Sequence, residues 1–174
     1  MDHSQHDCLL VAVLTHGDLG ILYATDGTYK TDSIWANFTS DKCPTLAGKP
    51  KIFLIEACQG NKHDNGVTLK KMTENDDDPS TNSIRIPTSA DFLIAYSSSP
   101  GYVSYCNTKK GSWFTQTLCT ELKKNGTRYD LLTLLTFVCQ RVAIDRETPL
   151  FKSKQMPFFT STLTRLIKFD ATKK

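Results

Sequence analysis

Ile52-Phe53-Leu54-Ile55-Glu56-Ala57-Cys58-Gln59-Gly60 runs from four consecutive apolar residues into a thiol and then a glycine. A short apolar run bounded by turn residues reads as a strand covered on both faces, here Lys51 to Ala57. The run Cys8 to Leu14 has the same character and ends in Thr15-His16-Gly17. Each strand therefore delivers one reactive group, His16 or Cys58, at its carboxyl end, where open α/β sheets place ligands. A thiol attacks as its thiolate, and histidine is the side chain suited to take that proton near neutral pH. The pair points to a cysteine hydrolase. Taken singly, the cysteine would be a small buried hydrophobe and the histidine a satisfied surface group.

Working outward, Gly20 to Ala24 and Thr28 to Lys30 form a hairpin about Asp26-Gly27. Asp32 or Ser33 is placed to cap a short helix through Trp35 and Phe38. The polar stretch from Gln59 to Thr88 is a functional loop or a linker. Phe92 to Tyr96 predicts a third strand. Ser112 caps a helix that buries Trp113, Phe114, Leu118 and Leu122 and stops at Gly126. Asp130 caps a second, in which Leu131, Leu134, Leu135, Val138 and Val142 recur at helical spacing. Phe158 to Phe169 predicts a last strand. Strands separated by helices make an α/β sheet.

Bulk properties narrow the functional classes. The 174 residues, 39% of them hydrophobic, suit one domain with a substantial core. Net charge is +3, and the basic side chains form neither a run nor a stripe among aromatics, which argues against nucleic-acid binding. No apolar stretch approaches the ~20 residues of a membrane span. The polar start Met1-Asp2-His3-Ser4 is no signal peptide, so a cytoplasmic protein with six reduced cysteines is expected. His3, His6 and Cys8 match no structural zinc spacing, and no metal site is expected.

Together these residues resemble the caspases, cysteine endopeptidases that cut after aspartate, and most closely the arthropod effector kind. The resemblance runs from Asp2 to Phe169. It is carried by His16-Gly17, the pentapeptide Glu56 to Gly60, Asp91-Phe92-Leu93-Ile94-Ala95-Tyr96-Ser97, Gly111-Ser112-Trp113-Phe114 and Leu131-Leu132-Thr133-Leu134-Leu135-Thr136. It implies an open, mostly parallel sheet flanked by helices. It also implies that residues 1–76 belong to the large-subunit region, 77–88 to the intersubunit linker and 89–174 to the small-subunit region. Cys58 would then be the nucleophile, His16 the general acid and base, and the amides of Gly17 and Cys58 the oxyanion hole, with no cofactor. Thr73-Glu74-Asn75-Asp76 resembles a processing tetrapeptide, with cleavage after Asp76 maturing a zymogen. Val103, Ser104, Tyr105, Cys106, Asn107 and Trp113 would face a peptide or protein substrate. Pairing through Phe158-Phe169 would give a homodimer, or a heterodimer with another caspase.

Three departures stand out. The family grips its substrate aspartate with two arginines and a glutamine. Glu56 occupies the glutamine position, Cys106 the place of one arginine, and the other arginine lies upstream of this chain. Losing one partner of a desolvated charge pair costs ~2–5 kcal/mol, so cleavage after aspartate is expected to be impaired. Glu56 would suit a basic substrate residue instead. The segment from Thr148 to Gln155 is shorter than its family counterpart, which alters the outer substrate pocket. Without the strands and helices that open the family's large subunit, Cys8 to Leu14 becomes a sheet edge with uncovered faces. Two functions follow: an endopeptidase with a Cys58/His16 dyad, or a catalytically deficient homologue that regulates a competent caspase by heterodimerisation.

Overall fold

A computed structural model describes residues 2–66, 87–107 and 111–170. The central sheet has the order β1 (Leu9–Leu14), β5 (Lys51–Glu56), β6 (Phe92–Tyr96), β9 (Phe158–Ser161). Its first two pairings are parallel and the last antiparallel. After β1 comes a three-stranded antiparallel sheet of β2 (Gly17–Asp18), β3 (Ile21–Ala24) and β4 (Gly27–Lys30). The hairpin turn falls at Thr25-Asp26, with Ala24 opposite Gly27. Before the two helices stand β7 (Cys106–Asn107) and β8 (Gly111–Ser112), paired antiparallel.

The helices are α1 (Trp113–Asn125) and α2 (Leu131–Asp145), and their starts follow the expected capping chemistry. Ser112 accepts from the Thr115 amide, and Asp130 accepts from the amides of Leu132 and Thr133. Gly126 ends α1 with right-handed backbone angles, so a left-handed turn is not why it is glycine. A β-carbon there would collide with the Leu122 carbonyl. One core joins Ile52, Leu93 and Ala95 of the sheet to Phe114, Leu118, Leu131, Leu135, Val138 and Val142 of the helices. On the opposite face Phe53, Ile55, Phe92 and Ile94 pack with Leu22, Trp35 and Phe38.

Three expectations need correction. The strand from Phe158 ends at Ser161, not Phe169. Beyond it Thr162 still exchanges backbone bonds with Asp91 and Phe92 while its hydroxyl donates to Ser89 O at 2.6 Å, and the ladder stops where the Thr164 amide and hydroxyl both turn to Asp91 Oδ1, at 3.0 and 2.6 Å. The region of Asp32 forms a 3-10 turn, Thr31–Ile34, with no side-chain cap. Finally, β1 is not covered on both faces. Leu9, Val11 and Val13 pack on the second core, whereas Leu10 and Leu14 are 54% and 64% exposed. Leu10 lies opposite Ile52 in register and so faces the helix side. The described helix-side core is built on β5 and β6 and includes no β1 side chain. Among the described residues β1 is the first strand in the sheet order.

Candidate active site

Parallel register brings the two reactive groups together. Leu14 of β1 pairs with Glu56 of β5, and the Thr15 amide extends the match by donating to Glu56 O at 2.9 Å. His16 and Cys58 are each the second residue beyond that pair, on neighbouring strands that run in the same direction. Adjacent strands lie about 4.8 Å apart, so equal offsets put the two residues side by side. Both line one cavity of about 720 Å³, together with Leu14, Thr15, Glu56, Ala57, Ser104, Cys106, Gly111, Ser112 and Thr115.

Gly17 lies against the backbone of Cys58. A β-carbon on Gly17 would sit 2.9 Å from Cys58 O and 2.7 Å from Ile21 O, closer than real β-carbons approach. Only glycine lets these two backbones meet. His16 is held through its own carbonyl, which accepts from the Tyr23 amide at 2.9 Å, while its side chain remains exposed. The Cys58 thiol accepts from Ser104 N at 3.3 Å and donates to Ser104 O at 3.7 Å.

The segment Ser97 to Asn107 is fastened from below. The fully buried Ser97 exchanges hydrogen bonds with Ala57, accepting from its amide and donating to its carbonyl. Buried Gln155 donates to Ser97 O and accepts from Tyr105 N, both at 2.7 Å. Gly101 donates to Gln59 O at 2.6 Å. A β-carbon on Gly60 would collide with the Gly101 backbone, so these loops also meet through glycine.

Glu56 occupies the cavity as a carboxylate ringed by hydroxyls. Ser104 donates to Oε1 at 2.7 Å, and Ser112 and Thr115 donate to Oε2 at 2.5 and 3.1 Å. No lysine or arginine is among the described residues that line the cavity. Cys106 lines it where the resemblance expected an arginine, with its thiol directed to Asn107 O. Tyr105, Val103, Asn107 and Trp113 lie outside that lining. Tyr105 packs on Trp113 with ring centroids 4.8 Å apart and bonds His63 at 2.7 Å. Val103 N donates to Lys62 O, and Asn107 pairs with Gly111 in the β7–β8 ribbon. Asp76 falls outside the described residues. The roles of Ser112, Thr115 and Gln155 at the site escaped the sequence reading. Their partners stand 40 to 60 positions away, and the only local signal was Ser112 as a helix cap.

A family model described as the caspase domain matches residues 1–168. The chain belongs to the caspase family. It is 61% identical over 175 residues to Caspase-1 of Spodoptera frugiperda and 54% identical to Caspase drICE of Drosophila melanogaster. Each match covers 97% of this chain but only 58% and 52% of the relative. The crystal structure of the Spodoptera caspase superposes with a TM-score of 0.86 at 57% identity, covering 97% of this chain and 65% of that one. This caspase chain therefore spans little more than half the length of those two curated relatives. Among the described residues no helix is long and apolar enough to cross a membrane.

Proposed function

We propose that this chain is the catalytic core of a caspase-type cysteine endopeptidase. The observation that supports it is the register that sets His16 and Cys58 at matching offsets on one cavity, with Gly17 pressed against the Cys58 backbone. The Cys58 thiolate adds to a peptide carbonyl, and the oxyanion is held by the amides of Gly17 and Cys58. The C–N bond breaks as His16 gives its proton to the leaving amine, which leaves a thioester on Cys58. Water, deprotonated by His16, then hydrolyses the thioester and restores the thiol. In this reading residues 1–76 and 89–174 act as the large- and small-subunit regions, cleavage after Asp76 separates them, and the setting is cytoplasmic.

A second reading is favoured by the content of the cavity. With Glu56 and Cys106 in place, an acidic substrate residue meets a carboxylate and no described cation. A chain that turns over poorly would act instead by binding, pairing β9 with a competent caspase. Among the described residues β9 is the last strand in the sheet order, and in this reading its second side takes the partner.

One experiment separates the two. The full chain is incubated with a degenerate peptide library, cleavage is read by mass spectrometry, and C58A and H16A serve as controls. Cleavage abolished by both substitutions supports the endopeptidase. No cleavage, with iodoacetamide alkylation of Cys58 equally fast in H16A, supports the binding role.

A further inference from the structure

Two of the six cysteines, Cys58 and Cys106, line the same cavity of about 720 Å³. The others stand elsewhere: Cys8 and Cys43 precede the amino ends of β1 and β5, Cys119 is on α1 and Cys139 on α2. Ser104 fixes how near the pair lies. Its amide and its carbonyl are 3.3 and 3.7 Å from Cys58 Sγ, and Cys106 follows two residues later. Two residues of chain span at most about 7 Å. Cys106 is exposed, and its thiol contacts only the carbonyl of its neighbour Asn107, at 3.8 Å, among the described hydrogen bonds. Thiols are weak donors and weak acceptors, so neither sulfur is held strongly in its present direction. A disulfide needs α-carbons about 4.4–6.8 Å apart. The adjustment this requires falls on the β7–β8 ribbon, which has only two residue pairs.

We propose that Cys106 is the resolving thiol of Cys58. Under peroxide the two join in a reversible disulfide that blocks the cavity and shields Cys58 from irreversible oxidation. Peroxide gives one oxygen to the Cys58 thiolate, which becomes a sulfenic acid, and its other oxygen leaves as hydroxide. The Cys106 sulfur then attacks the Cys58 sulfur. The S–S bond forms, the S–O bond breaks, and the hydroxide departs with the Cys106 proton as water. A reducing thiol restores both cysteines by exchange. That Cys58 is oxidised first rests on the endopeptidase reading, in which His16 takes its proton. The bond between the two sulfurs does not.

The test treats the full chain, dilute and without substrate, with hydrogen peroxide and maps its disulfides by mass spectrometry of non-reduced digests. The expected result is a linked pair of peptides carrying Cys58 and Cys106, absent in C106S and separated by dithiothreitol. In C106S, dimedone should trap Cys58 as the sulfenic acid, and longer exposure should carry it to sulfinic acid, which dithiothreitol leaves in place. After reduction, iodoacetamide labelling of Cys58 should therefore return in the wild-type chain and stay lost in C106S. No linkage between Cys58 and Cys106, or Cys58 driven to sulfinic acid equally in both chains, would overturn the proposal. The wild-type map decides the matter even should C106S fold poorly. A linked chain that cleaves no peptide in the library sinks only the endopeptidase reading, because the linkage is read without turnover.

Discussion

Ser112 Oγ donates to Glu56 Oε2 at 2.5 Å and accepts from the Thr115 amide at 3.1 Å, so one hydroxyl both starts α1 and holds the cavity's carboxylate. Replacing it with alanine removes a helix cap, worth about 1 kcal/mol, and one of the three donors to Glu56. S112A should lower the urea midpoint and weaken peptide binding in the cavity, and S112T should recover most of both. D130A, at the cap of α2, is the control. Its stability cost should be similar, with no effect on binding. The Thr133 hydroxyl holds the Asp130 carboxyl below its ordinary value. That cap is therefore complete above about pH 4 and is lost only as acid takes the pH below the folded value.

Gly17 admits no side chain without moving backbone. G17A should cost about 1–3 kcal/mol through overpacking against Ile21 and Cys58, and should slow alkylation of Cys58 or any turnover. Thermal denaturation and thiol kinetics measure the two effects. Unchanged values in both would contradict the close approach described here.

Gln155 ties Ser97 to Tyr105 across the segment Ser97 to Asn107. Q155L fills similar space but leaves Ser97 O and Tyr105 N unpaired, at about 1–3 kcal/mol. Hydrogen exchange should rise at Ser104 and Tyr105 while the amides of β5 stay protected.

Glu121 is fully buried on α1, where it ion-pairs with the half-exposed Arg141 of α2 and accepts from Asn125 at 2.8 Å. R141L should cost about 2–4 kcal/mol because it strands a buried carboxylate. R141L/E121Q should regain a large part of that loss. Chemical denaturation of the two singles and the double gives the coupling directly.

Burial pushes the Cys139 thiol up to about 11. At pH 8 iodoacetamide should modify the exposed Cys8, Cys106 and Cys119 well before Cys139, as peptide mapping would read. The folded value lies above the ordinary 9.0, so the unfolded chain gives up this proton first. The thiol's contribution to stability is complete below pH 9 and falls as the pH climbs towards 11. C139A should flatten that decline.

The strands and helices nearest the site were readable because their signals are local. Cys8 to Leu14, Lys51 to Ala57 and Phe92 to Tyr96 are short apolar runs, and Ser112 and Asp130 cap where capping residues should. Phe158 to Phe169 misled because alternation persists in the sequence after Thr162 and Thr164 have turned their hydroxyls to Ser89 and Asp91. No local pattern encodes those distant acceptors. The β1 run read as doubly covered because composition reports apolarity and says nothing of where α1 and α2 end. At the site, Cys58 and His16 were visible through residue type and strand ends. The ring around Glu56 was not, since it gathers Ser104, Ser112 and Thr115 from two later segments.

Pairing between β1 and β5 counts in whole residues, so the meeting of His16 with Cys58 is all-or-none. Keeping Leu9, Val11 and Val13 inward while β1 slides requires a jump of two residues, about 6.6 Å along the strand, which would carry the imidazole out of reach of the sulfur. Point changes in these strands should therefore dim the proposed chemistry by degrees. Deleting one residue between Leu9 and Thr15 should extinguish it at once, even in a chain that still collapses.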